Sequence, residues 1–514
     1  MTKTIVIGLD GSNWPLIEPW IADGTLPNFG RLRDGGAWGV SRSHLPPVTC
    51  PNWKCYASGK NPGKLGVYWW ERIDTTDQSM HLPDATDFES PELWDYLNDG
   101  GESAAVVNLP MSYPPRQIDD AMVAGGPRSR EDDYTVPAEL QQELEDQFDY
   151  RVHPPNVLTS NEDADEEVEM VYDLLRTRLR TAQYLLEERD VDFLHVTLFH
   201  LNVLQHYFYD ALETRRAYEI IDEELGSFID SGHDIVLMSD HGCTEIDTVF
   251  YVNNWLEEHG YLATETSLTS RLHDFGITQE RIANVVRTLG LEKRIRPLVP
   301  RAVIERFPSD EGVVREEKLK MVDWENTTAI GSGQGLIYVV ADDEAERERI
   351  LDSLESDLAE ATGITGDPIA RDIHRREDLY EGDCVDSAPD LIFDQREGVH
   401  TSEAMGQDET MSAPTNWRGE NVPSGLALFY GTDIEPGNFG EIQITDIAPT
   451  ILHWLGYRVP NDMDGRPVTE IFASDSDTGT RSVTTRDPLT DRGNGTDQLD
   501  DEVKDRLEQI GYLE

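Results

Sequence analysis

Three apolar runs in this 514-residue sequence end on groups able to hold a cation. TIVIGLD (4–10) ends on Asp10, and DIVLMSDHG (234–242) carries the pair Asp240–His241. VDFLHVTLF (191–199) leads into HLNVLQH, with His200, Asn202 and His206. Carboxylate oxygens and imidazole nitrogens delivered to one edge form a donor set for a divalent ion. Each residue alone has a plainer reading: a strand-terminal Asp often caps the next helix, and His206 in QHYFYD is equally an aromatic-cluster histidine. A fourth stretch, LPPVTCPNWKCYASGK (45–60), places Thr49 two residues before Pro51 at the start of a helical pattern. A hydroxyl there faces the positive end of the helix dipole, where phosphate oxyanions bind. Metal coordination can turn such an alcohol into a nucleophile. The other reading of Thr49 is a helix cap, and its neighbour Cys50 is a second nucleophile or a small apolar packing group. IGLDGSN is not GxGxxG, which gives a dinucleotide site little support.

These residues need a scaffold that collects strand ends. Continuous apolar runs at 4–10, 103–110, 191–199, 234–242, 389–394 and 424–431 read as buried strands. Helical stretches such as 165–189 and 214–229 separate them. Strand–helix alternation predicts an α/β layer fold with a mostly parallel central sheet, whose ligands bind at the carboxyl ends of the strands. The segment 258–325 breaks the rhythm and reads as a helical insertion or cap on a domain spanning 1–471. Residues 472–500, rich in Ser, Thr, Asp and Gly, read as a disordered acidic linker before a C-terminal helix at 501–514.

The formal charge is −57, with 100 acidic against 43 basic residues. Such a surface repels nucleic acid and anionic membranes. The acids are dispersed along the whole chain, which favours adaptation to high salt over an acidic docking surface. Four cysteines without CxxC spacing fit a reducing interior. No run approaches the ~20 apolar residues of a membrane span. With no basic or apolar leader pattern at the N-terminus, the expectation is a cytoplasmic protein.

The set IVIGLDGSNWPLI, PNFGRLRDGGAWG, PPVTCPNWKCYASGKNPGK, VLQHYFYD, MSDHG and ITDIAPTILHWLGYRVPNDMDGRPV runs in order from about residue 3 to 471. It resembles the type I phosphodiesterase/nucleotide pyrophosphatase branch of the alkaline phosphatase superfamily. The resemblance implies an alkaline-phosphatase-like three-layer α/β/α sandwich and two divalent metals, typically zinc, with Mn or Mg as further choices. It also implies a covalent phospho-enzyme on a Thr or Ser. Carried over, Thr49 is the nucleophile and a ligand of the metal held by Asp10, Asp240 and His241. A second metal falls to His206, with Asn202 where the family has Asp and Asn421 where it has His. An amide oxygen binds zinc more weakly than carboxylate or imidazole. Leu65 stands where related chains often place a histidine, and His200 and His400 are substitute ligands. Asn52 and Lys54 are expected to steady phosphate oxygens. Threonine cannot yield formylglycine, so a sulfatase of that type is excluded.

The expected function is therefore metal-dependent hydrolysis of a phosphodiester, pyrophosphate or phosphomonoester. The alternatives are a degenerate member that binds a phosphorylated or glycan-linked ligand without turnover, and a phosphotransferase. The partner is a small phosphate ester, a phosphorylated glycan or a nucleotide. Trp69 and Trp70, in a cap segment at 69–83, read as core residues or as stacking platforms for a base or sugar.

Overall fold

Five of the six apolar runs enter one nine-stranded sheet in the computed structural model, which describes residues 3–162, 164–264 and 319–490. Across the sheet the strands are Gly437–Gln443, Ala37–Arg42, Ser424–Tyr430, Asp234–Met238, Thr4–Gly8, Phe193–Thr197, Ala104–Pro110, Asp120–Gly125 and Thr135–Val136. Thr4–Gly8 lies at the centre, parallel to both neighbours, with Gly8 opposite Thr197 on one side and Met238 on the other. All five of its residues are buried, as a strand covered on both faces requires. Ser424–Tyr430 departs from the parallel pattern: it runs antiparallel to both Ala37–Arg42 and Asp234–Met238. A fully buried run carries no mark of its direction, so the reversal is invisible until the partners are known.

Helices cover both faces. On one, Thr49–Ser58 and Leu93–Asp99 bring Trp53, Tyr56 and Trp94 against His195 of the sheet. Gly8 permits this approach, because a Cβ there would stand 2.4 Å from the Trp53 ring. On the other, the amphipathic helix Asp165–Glu188 packs on the sheet, and Leu212–Asp230 packs against it. The result is the α/β layer fold that the alternation implied, in the three-layer α/β/α form that the resemblance implied.

The sixth run, at 389–394, belongs to a second sheet. Ala329–Ser332, Leu336–Val339, Leu391–Gln395 and Ala370–Arg375 form an antiparallel four-stranded sheet backed by the helix Glu344–Glu360. It has its own core, in which Phe250, Trp255, Leu256, Ile337, Leu351, Leu354 and Phe393 are buried. Of the helical insertion expected at 258–325, residues 265–318 lie outside the described residues, as does the C-terminal helix at 501–514. The expected linker is structured as far as residue 490, a correction to the compositional reading. Thr485–Arg486 pairs in parallel with Val459–Pro460, Thr478 donates to Asp433 Oδ2 at 2.5 Å, and Arg481 donates to the His453 carbonyl at 2.8 Å. Polar anchoring holds this segment where apolar periodicity is lacking.

Candidate metal centre and nucleophile

Parallel register brings the first cluster together. With Gly8 level with Met238, the two chains leave the sheet side by side, and Asp10, Asp240 and His241 follow within three residues. Gly11, at φ +70°, turns its N–H onto Asp240 Oδ1 at 3.3 Å. Thr49 arrives from the opposite layer as the first residue of its helix. Its Oγ1 lies 3.3 Å from Asp10 Oδ1, to which it donates, and 3.3 Å from His241 Nε2. His241 Nε2 is 3.1 Å from Asp240 Oδ2 and 3.8 Å from Asp10 Oδ1. Thr49, Asp10, Asp240 and His241 are all 0% exposed.

The donor chemistry of this cluster fits a divalent cation. His241 Nδ1–H is donated to the Gly242 carbonyl at 2.9 Å, which turns the Nε2 lone pair toward the two carboxylates. Asp240 Oδ2 is buried and faces His241 Nε2. The ligand atoms of Asp10, Asp240 and His241 lie within 4.8 Å of one another. A tetrahedral ion with bonds of ~2.0–2.2 Å separates its ligands by about 3.3–3.6 Å, close to the spacings here. Burial raises the affinity of Asp10 for a proton well above the usual carboxylate range, and the charge of Asp240 raises it further. Burial lowers the His241 pKa, but Asp240 and Asp10 outweigh it and lift the value to about 9. Both shifts express one fact: the cluster has more buried negative charge than the protein neutralises.

A second group forms alongside. Asn202 and His206 are one turn apart on the buried helix His200–Phe208. Asn421 reaches them from the strand Gly419–Val422, which pairs with Gly242–Glu245 directly after the Asp240–His241 pair. His206 Nδ1–H is donated to the Gly419 carbonyl at 2.8 Å, so Nε2 is the acceptor and receives the Asn202 amide at 3.0 Å. The same amide donates to Asn421 Oδ1 at 3.2 Å. The Asn202 NH2 group thus meets two atoms that would otherwise be free for a cation. Burial drops the His206 pKa to about 4, so the ring is neutral. Trp417 stacks on it at a centroid distance of 4.0 Å.

Two expected phosphate ligands are committed elsewhere. The Asn52 side chain clasps the preceding loop, accepting from the His44 N–H and donating to the Pro46 and Val48 carbonyls. Lys54 Nζ makes a buried ion pair with Glu92 Oε1 at 2.7 Å. In this structure both side chains are held by protein partners. His400 pairs with Glu420, and His200 packs beside Phe199 and His153. Two residues that the motifs did not single out act on the first cluster. Trp53 Nε1 donates to Asp10 Oδ2 at 2.9 Å, and Gln205 Nε2 to the Asp10 carbonyl at 3.3 Å. The available signal was helical spacing, since Trp53 lies one turn after Thr49.

Comparison with known proteins agrees with this architecture. Phosphonoacetate hydrolase from Sinorhizobium meliloti 1021, in complex with phosphonoformate, superposes with a TM-score of 0.55 at 15% identity, covering 87% of this chain and 94% of that one. A mutant of alkaline phosphatase PafA gives 0.53 at 13% identity, over 91% and 98%. An inactive murine ectonucleotide pyrophosphatase/phosphodiesterase 5 in complex with AMP gives 0.50 at 11% identity, over 92% and 100%. At these identities the likeness is one of fold. No curated protein matches the chain by sequence. The family described as type I phosphodiesterase / nucleotide pyrophosphatase matches residues 4–420, and the chain belongs to it.

Proposed function

We propose that this member hydrolyses a phosphate ester with Thr49 as nucleophile and Asp10, Asp240 and His241 as ligands of a divalent cation, zinc in the first instance. The observation that carries the reading is the Thr49 hydroxyl, 3.3 Å from both Asp10 and His241 at a helix N-terminus. When bound, the cation supplies positive charge that lowers the cost of deprotonating the hydroxyl and of gathering an anionic phosphoryl group beside two carboxylates. Thr49 Oγ1 forms a bond to phosphorus as the ester bond on the far side breaks; the proton it gives up is the one it donates to Asp10 Oδ1, and the departing alkoxide takes a proton from water to leave as the alcohol. The N-terminal peptide groups of helix Thr49–Ser58 stabilise the non-bridging oxygens. Water then cleaves the phosphothreonine and restores the hydroxyl. Trp53 and Gln205 hold Asp10 in orientation throughout.

The internally bonded Asn202–His206–Asn421 group favours a second reading, retention of a phosphorylated ligand without turnover. Turnover of mono- and diesters by wild type, Thr49→Ser and Thr49→Ala with added Zn, Mn or Mg separates the two. Loss of turnover in Thr49→Ala, with a phosphorylated Thr49 trapped in wild type, supports hydrolysis. Equal rates in wild type and Thr49→Ala refute the nucleophile.

The proposal places the protein in a cytoplasm of high salt. The dispersed acidic residues and the four unpaired cysteines support this, and among the described residues no helix is long and apolar enough to cross a membrane. A melting temperature that rises with KCl concentration is the corresponding expectation.

A further inference from the structure

A cavity of about 210 Å³ lies between the helices Thr49–Ser58 and Leu93–Asp99 and the loop that follows the strand Ala104–Pro110. Phe88, Pro114, Pro115 and Met122 give it apolar walls, and Lys54, Glu92 and Arg116 form a charged end. An apolar cavity of ~150 Å³ is large enough to hold benzene, so this one has room for a six-membered ring with a short polar substituent. Pro114 is exposed and Pro115 and Arg116 are partly so, which gives solutes access from outside.

At the charged end the acceptors are filled and donors are left over. Glu92 Oε1 accepts from Lys54 Nζ at 2.7 Å, and Oε2 accepts from Arg116 at 2.8 Å. Both oxygens of Asp95 accept from Arg116 at 2.7 Å. Lys54 is 5% exposed, and its ammonium, which carries three protons, makes only the bond to Glu92 among the described residues. Its Nζ stands between Glu92 and the Phe88 ring, 5.2 Å from the ring centroid, and both residues belong to the cavity wall. The 7% of the Lys54 side chain that stays accessible opens on the space it lines.

A nearly desolvated ammonium with two protons to place calls for acceptor oxygens. Lys54 and Arg116 balance Glu92 and Asp95 in charge, and the carboxylate oxygens already face cations. An incoming ammonium therefore meets donors, and a purely apolar molecule leaves Lys54 unmet. Inorganic phosphate suits the donors but leaves the apolar walls facing water. A carboxylate on a ring-sized apolar body answers both ends, through charge-assisted bonds to Lys54 and contact with Phe88, Met122 and the prolines.

We propose that this cavity binds a small organic monocarboxylate, with its oxygens on Lys54 and its apolar body against Phe88 and Met122. The site is independent of the phosphoester reading, since no residue of the Thr49 cluster lines it. Calorimetric titration of the full chain with benzoate, benzyl alcohol and benzylamine varies the polar group on one ring. Benzoate is expected to bind once per chain, with the other two at least about ten-fold weaker. Lys54→Met keeps the stem and removes the ammonium, and should bring benzoate down to the level of benzyl alcohol. Ala85→Phe, which fills the cavity from its wall and leaves the ion pairs in place, should weaken benzoate as well. It decides the matter if Lys54→Met does not fold. No saturable binding of benzoate to wild type, binding of benzyl alcohol or benzylamine as tight as that of benzoate, or an unchanged benzoate affinity in a folded variant overturns the proposal.

Discussion

The two polar groups at the carboxyl ends of the central strands lie side by side and are in opposite electrostatic condition. Asp10, Asp240 and His241 converge acceptors on one point and leave the charge unbalanced. In the neighbouring group, Asn202 donates to both His206 and Asn421 and the ring is neutral. A carboxylate at position 202 would turn the second group into an acceptor set like the first, whereas the amide closes it with its own hydrogens. Ligand geometry alone therefore does not make a cation site; what matters is whether the protein has already met the demand of its acceptors.

The comparison breaks most decisively at the first group. Asp240→Asn is expected to abolish stoichiometric metal binding and to lower kcat/KM by about 10³-fold or more, as read by elemental analysis and ester turnover. A full complement of metal in that variant would transfer the site elsewhere. Asn202→Asp should do the reverse to the second group. In chelator the new buried carboxylate is expected to destabilise the fold by about 3 kcal/mol, and added zinc should restore stability with one further ion per chain. If the metal count stays unchanged, the amide is not what closes that group.

The two histidines should also give opposite pH signatures in metal-free protein. His241 has its pKa raised to about 9 from an ordinary 6.5, so its contribution is complete below pH 6.5 and is lost as pH rises through about 9. The pKa of His206 is lowered to about 4, so its contribution is complete above pH 6.5 and is lost as pH falls toward about 4. Each swing is on the order of 1–3 kcal/mol. Denaturant unfolding of His241→Gln and His206→Gln across pH assigns them, and zinc should flatten only the alkaline limb. The smallest effect is expected from Trp53→Phe, which removes the donor to Asp10 Oδ2 and should weaken metal affinity about ten-fold. An unchanged affinity would show that Asp10 needs no such support.

What could be read from the sequence followed the range of its signals. Thr4–Gly8 and Asp234–Met238 are legible because burial on both faces demands an unbroken apolar run, and their ends mark Asp10, Asp240 and His241. The direction of Ser424–Tyr430 and the separate sheet holding Leu391–Gln395 depend on partners distant in sequence. Asn52 and Lys54 were expected to steady phosphate oxygens because they follow Thr49 at a helix N-terminus. Their protein partners were not legible: Asn52 donates to the loop carbonyls before its own helix, and Lys54 pairs with Glu92. Trp69 and Trp417 line one cleft from segments more than 300 residues apart in sequence, which no local pattern reveals.

Gly11 has a consequence for how this sequence can diverge. Any side chain placed there would meet Asn202 before anything else, and the backbone stands at φ +70°, which disfavours every other residue type. Positions 11 and 202 therefore cannot drift independently. A lineage that enlarges residue 11 must first empty the space filled by residue 202, and with it give up the amide that joins His206 to Asn421. A substitution at this single glycine would thus report on whether the Asn202 bridge between His206 and Asn421 survives.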